Sequence, residues 1–192
     1  MVNKDLTFRR LQMSDQPAYQ DLIHSAYGSI DQSVVSFDAA SESQADNIHW
    51  LKSVPTFGLF NEDGDLVSGV SLRYPWGPQP GPKPYPHIGR LATHADFKGH
   101  GYARITFDYI EDYLREELKC PVVTLGTADR LPWLVAMYER WGFVEFARKR
   151  LGNKKHITVY LQKTLYNSPY LENRIVPDIG NKNEKDLQKG SE

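Results

Sequence analysis

Lys98-Gly99-His100-Gly101-Tyr102-Ala103 lies between a strand-like run, His87 to Thr93, and a helical run, Tyr102 to Leu118. A glycine-rich turn that feeds a helix start gathers backbone N–H groups at one point, and the helix dipole adds partial positive charge there. Gly99 and Gly101 allow positive φ and close approach of a ligand to the backbone. Lys98 supplies a cation at the mouth. The stretch reads as a diphosphate-binding loop; the plainer alternative is a tight strand-to-helix turn with two conformational glycines. Two familiar phosphate loops do not fit. No G-x-x-x-x-G-K-[ST] occurs, and the three-glycine dinucleotide fingerprint needs a glycine where Arg104 stands.

Downstream, Ala103, Phe107, Ile110, Leu114 and Leu118 form an apolar stripe at helical spacing, with Asp108, Glu111, Asp112 and Arg115 off it. Packing that stripe would fix the helix N-terminus against a phosphate. Pro121 to Gly126 reads as a short buried strand. Pro132 suits the first turn of a further helix and Gly142 its C′ position, with Leu134, Met137 and Trp141 marking the buried face. Upstream of His87, five prolines follow Pro75 in a run that ends at Pro86, so few backbone N–H groups are free to pair. That run is either a rigid linker or a rim over a ligand site, with Trp76 and Tyr85 offering flat apolar surface.

The spacing Lys98-x-x-Gly101-x-Ala103 resembles the [R/Q]-x-x-G-x-[G/A] loop of the GNAT superfamily of acetyl-CoA-dependent acetyltransferases. Met137-Tyr138-Glu139-Arg140-Trp141-Gly142-Phe143 resembles the Y-E-[K/R]-x-G-F element of the same enzymes. The 35 residues from Ala103 to Tyr138 leave room for a helix, a strand and a helix start, which is the family's order. The resemblance covers roughly residues 5–164 and is strongest over 87–143. It implies an α/β (α+β) fold: a mixed, mostly antiparallel sheet of six to seven strands flanked by about four helices. Residues 1–165 would form the acetyltransferase domain, and 166–192 a polar C-terminal extension, either mobile or docked through Tyr166, Tyr170, Leu171, Ile175 and Val176.

The same resemblance implies acetyl transfer from acetyl-CoA to an amine of a small molecule or peptide, by direct attack in a ternary complex. The diphosphate would lie on Lys98, Gly99, His100, Gly101, Tyr102 and Ala103. The pantetheine arm would lie along the backbone of Leu91, Ala92 and Thr93 like an added strand. The early helices would form one wall of the acceptor site, with Trp76 and Tyr85 at its rim. Many members carry Asn seven residues before the tyrosine; Leu131 stands there, which removes one cofactor contact. A CoA-binding module without activity, or an interaction domain working through the tail, are the readings from other classes.

Acetyl transfer needs a neutral amine. A lysine-like amine of pKa ~10.4 is neutral in about one molecule per thousand at pH 7, a cost of roughly 4 kcal/mol. Many members place a base at the start of the fourth strand in an E-I-x-x-L pattern; here His87-Ile88-Gly89-Arg90-Leu91 puts His87 in that place. Histidine titrates near neutrality and can serve as the base; the alternative is a surface histidine at a strand end. Tyr138 is the candidate donor to the leaving sulfur, as a hydrogen bond to developing thiolate charge; its alternative is a structural role. His94, His100 and His156 lack ligand spacing, so no metal is expected.

Earlier in the chain, Leu6 to Leu11 reads as a strand. Ser14 or Asp15 caps a helix with Pro17 in its first turn and Tyr19, Leu22, Ile23 and Ala26 on its buried face. Ser41-Glu42-Ser43-Gln44 resembles a capping box opening a second helix that runs to about Leu51. Thr56 to Phe60 and Leu66 to Arg73 are strands around a turn at Glu62 to Asp65. Val144 to Leu151 and Lys154 to Lys163 form a closing hairpin over Gly152-Asn153.

The net charge of −1 over 192 residues gives no sign of a nucleic-acid surface, and no nucleic-acid partner is expected. No apolar run approaches the ~20 residues of a membrane span. The N-terminus lacks the apolar region of a signal peptide. Cys120 is the only cysteine, so no intramolecular disulfide forms, and a cytoplasmic location is expected. A monomer or a homodimer is expected, with acetyl-CoA and an amine as partners.

Overall fold

A computed structural model of the chain describes residues 6–166; the expected C-terminal extension otherwise lies outside the described residues. Seven strands form one sheet, in the spatial order β1-β2-β3-β4-β5-β7-β6. They are β1 Thr7–Arg10, β2 Thr56–Phe60, β3 Leu66–Arg73, β4 His87–Thr93, β5 Val122–Ala128, β6 Val144–Arg150 and β7 Ile157–Thr164. The helices are α1 Gln16–Gly28, α2 Gln44–Ser53, α3 Tyr102–Asp112 and α4 Pro132–Arg140. All neighbouring strands run antiparallel except β4 and β5.

The sheet is buried on both faces. On one side α1 and α2 contribute Tyr19, Leu22, Ile23 and Trp50, packed with Leu11, Phe60 and Leu66. On the other, Phe107, Ile110 and Leu114 of α3 pack with Val70, Leu72, Val123, Leu125, Leu161 and Phe143. Burial of apolar surface at ~25 cal/mol per Å² is what holds these layers together. The strands β2 and β3 are buried along almost their whole length, as expected for strands covered on both faces.

Several local expectations need correction. The cap of α2 is Ser43, not Ser41: its hydroxyl accepts from the Asp46 N–H while Asp46 accepts from the Ser43 N–H. Asp does here what Glu or Gln does in the usual box. The stripe of α3 stops at Leu114, because a π turn over Tyr113–Glu117 adds a residue to the repeat. Leu118 is therefore 36% exposed. Glu111, expected on the polar face, is buried between Lys163 Nζ and Arg115 Nη2, each at 2.6 Å. The β6–β7 connection is longer than two residues, since Arg150 pairs with Ile157. On α4 it is Tyr138 that is buried, whereas Leu134, Met137 and Trp141 are only partly so.

The sheet is opened at its middle. The parallel pairing of β4 with β5 spans only His87↔Thr124 and Ile88↔Leu125. The register of β4 against β3 then slips, with Gly89 opposite Ser71 and Ala92 opposite Gly69. The extra residue lies in the Arg90 region, where Arg90 has φ 50°, a left-handed backbone that a non-glycine residue rarely adopts. Such a bulge bends its strand, and beyond it β4 and β5 part.

Candidate active site

The opening between β4 and β5 is the floor of a cleft of about 740 Å³. Gly89 to Thr93 line one side, Leu125, Gly126 and Thr127 the other, and α4 closes it with Leu134, Met137, Tyr138 and Trp141. Its far end is the glycine loop, of which Lys98, Gly99, Gly101, Tyr102 and Ala103 line the cleft. His100 does not; its ring stacks on Tyr102 with centroids 5.7 Å apart. Gly99 and Gly101 have φ of 84° and 79°, and a Cβ at either would project into open space. That space is where a ligand approaches, and the N–H groups of residues 99–103 donate no backbone hydrogen bond among the described residues. Lys98 Nζ donates to Ser29 Oγ at 2.6 Å, which holds the ammonium at the end of α1.

The strand edge facing this cleft is set by alternation. His94 N–H donates to Val67, and the Ala92 carbonyl accepts from Ser68 Oγ, so residues 92 and 94 turn their backbone toward β3. Leu91 and Thr93 therefore turn theirs into the opening.

A second cleft, of about 640 Å³, lies on the α2 side and shares Tyr27, Phe37, Ile88, Gly89, Arg90 and Gly126 with the first. The two meet at the bulge. Arg90 leaves β4 there and lies over the Trp50 ring at 3.5 Å, with Nη2 2.5 Å from Glu42 Oε1. Trp50 is fixed in turn by its Nε1–H bond to Ser71 Oγ at 3.0 Å. Arg73 also lines this cleft, and its guanidinium donates to the carbonyls of Gln79 and Pro80 at 2.6 and 3.0 Å. Among the described residues no carboxylate lies within 4.0 Å of it. Burial lowers the Arg73 pKa, with Tyr160 opposing and the like charge of Arg90 adding.

His87 is buried, not at the surface. Its Nδ1 lies 2.8 Å from Thr124 Oγ1, and Gly81 of the proline-rich run packs so close that a Cβ there would meet the ring at 2.6 Å. Burial, with Arg73 adding, pushes its pKa down to about 3. Such an imidazole stays neutral at pH 7 and is a poor acceptor of an ammonium proton. Trp76 stacks on Tyr74 and is 80% exposed, and Tyr85 is half-buried; neither lines either of these two clefts, and the proline-rich run contributes Gln79 to the second instead. Tyr138 lines the first cleft while its ring packs edge-on against Trp141 and Phe143. Its hydroxyl has no hydrogen-bond partner among the described residues, and burial raises its pKa, so it stays protonated.

Sequence reasoning missed Arg73, Arg90 and Glu42. Arg90 was hidden in a strand, and Glu42 in a segment that reads as a helix cap.

Residues 19–143 match the acetyltransferase (GNAT) family, and the chain belongs to that family. Two Bacillus subtilis proteins are similar. S-(2-succino)cysteine N-acetyltransferase is 45% identical over 108 residues, which are 56% of this chain and 65% of that protein's length. S-alkylcysteine N-acetyltransferase is 31% identical over 167 residues, 84% of this chain and 90% of that one. Among solved structures, yncA from Salmonella typhimurium with its cofactor acetyl-CoA superposes with a TM-score of 0.65 at 15% identity, covering 86% of this chain and 96% of that one. The chain is thus an acyltransferase of the N-acetyltransferase type.

Proposed function

We propose that this enzyme uses acetyl-CoA to acetylate the α-amino group of a small amino acid of the S-substituted cysteine type, by direct attack in a ternary complex. The glycine loop and its free N–H groups suit the diphosphate. The outward backbone of Leu91 and Thr93 suits the pantetheine arm, and Tyr138 stands by for the leaving sulfur.

Arg73 is the observation that carries the acceptor assignment. A half-buried guanidinium with only carbonyl partners, beside a second arginine, is a position where a ligand carboxylate gains two charge-assisted bonds and relieves repulsion. The names of the two Bacillus relatives point to the same chemistry, since both substrates are cysteine derivatives that carry a carboxylate.

The test is an acceptor panel read as free thiol released: S-(2-succino)cysteine, S-methylcysteine, the matching cysteamine thioethers that lack the carboxylate, and spermidine. The amino acids should exceed the cysteamine thioethers by at least about a hundredfold in kcat/KM, since leaving a half-buried charged group without its partner costs about 3 kcal/mol. Arg73→Gln should remove most of that preference while leaving acetyl-CoA affinity intact. Equal turnover of the two sets by the wild-type enzyme overturns the assignment.

A further inference from the structure

We propose that Glu42 receives the acceptor's ammonium group and takes its proton. The inference rests on the second cleft being the acceptor site, but not on which amine enters it.

Glu42 lines that cleft from the segment ahead of α2. Its side chain is 15% exposed and that of Arg90 11%. Oε1 accepts from Arg90; Oε2 is shielded from solvent and has no hydrogen-bond partner. An unpaired buried carboxylate oxygen is costly, and a native structure that keeps one has a use for it. An ammonium has three donors to fill it. The outer torsion of a glutamate side chain is soft, and turning it moves both oxygens; Oε2 can reach the cleft if the long Arg90 side chain, whose guanidinium carries five donors, follows the carboxylate.

The other acids of the cleft are committed. Asp46 caps α2 through Ser43, and Asp38 is 80% exposed and pairs with Lys154. His87 is engaged with Thr124. Around Glu42 stand Arg90 of β4, Tyr19, Tyr27 and His24 of α1, the last through its Nε2 contact to the Glu42 carbonyl at 2.8 Å, and Asp46 and His49 of α2. Tyr27 lies at the junction of the clefts. Burial raises its pKa most, then Tyr138 and Tyr19; Arg90 lowers it and Glu42 raises it.

The proton balance is simple. Arg90 disfavours a second cation beside it and equally favours the ionised Glu42 carboxylate, so one ammonium proton passes to Glu42 only transiently, as the amine attacks. The neutral amine forms the C–N bond at the thioester carbon. The C–S bond breaks with its electron pair on sulfur, and the second N–H proton ends on that thiolate. Glu42 then releases its proton to solvent, one per turnover.

The experiment is the pH profile of kcat/KM for Glu42→Gln, using the best amine of the panel. A general base is worth about 10²–10⁴ in rate, so the variant should lose at least a hundredfold at pH 7. The loss should shrink as pH rises and the free amine loses its own proton. Acetyl-CoA affinity should not move. A loss of equal size at every pH means that Glu42 only positions Arg90, and overturns the proposal. If Glu42→Gln does not fold, Glu42→Asp carries the same criterion, with a loss nearer tenfold. Wild-type enzyme that favours amines lacking a carboxylate, together with a pH-dependent loss in the variant, overturns the amino-acid reading alone.

Discussion

Tyr138 combines two environments that a single substitution separates. Its ring belongs to the core around Phe107 and Phe143, and the residue also lines the first cleft, where its hydroxyl has no hydrogen-bond partner among the described residues. Tyr138→Phe keeps the ring and removes only the O–H. A donor engaged as thiolate charge develops should lower kcat and kcat/KM together, by about a hundredfold for the loss of about 3 kcal/mol. Acetyl-CoA affinity and the melting temperature should stay near wild type. A kcat unchanged in stopped-time thiol assays would remove Tyr138 from the chemistry. This residue was legible because it sits in a short motif on one helix. Arg90 and Glu42 were not, because they meet across 48 residues of sequence and only the fold brings them together. His87 was misjudged for a similar reason: its strand position was right, but its burial under Gly81 depends on how the proline-rich run folds back.

At the level of elements, the loop and the helix it feeds behave as one part. The Gly101 φ of 79° sets the start of α3, and the carbonyl of Gly101 accepts from Arg104 and Ile105. Gly101→Asp would add a Cβ and a carboxylate in the open space beside the free N–H groups, and would strain a left-handed position by about 1 kcal/mol. Calorimetry should show acetyl-CoA affinity falling at least tenfold, with helicity kept. Undiminished affinity would detach the loop from the diphosphate. The ranges of β2, β3 and β4 were legible to the residue, since apolar runs bounded by a turn or prolines leave little freedom. The π turn after α3 was not. Its apolar spacing still fits a regular helix as far as Leu118, and the contacts that accompany the turn, from the Cys120 N–H to the Leu114 carbonyl and from Tyr166 Oη to the Lys119 carbonyl, form only in the fold.

Over the whole molecule, the motifs at 98–103 and 137–143 were enough to name the family and its sheet. The resemblance placed an acceptor wall on the early helices and a rim on the proline-rich run, but the residues of the second cleft, drawn from α1, α2, β3, β4 and that run, hold no local pattern. The seam between β4 and β5 joins the two ends of the sheet through two residue pairs. Hydrogen exchange should therefore slow on adding acetyl-CoA, most at Leu91 and Thr93, whose backbone faces the opening and would gain partners there. Exchange there that ignores the cofactor would rule out the added-strand arrangement.

That seam has a mechanical meaning. Four strands with α1 and α2 form one half, and three strands with α4 the other, while α3 packs across both; between them the sheet is stitched at one end and unstitched at the other. On the proposed reading, a cofactor laid along the gap would supply the missing stitches, and the half lined by Glu42 and Arg90 would meet the half that carries Tyr138 in its best alignment once the acetyl donor is aboard. Donor before acceptor is the order of substrate addition that such a hem would favour.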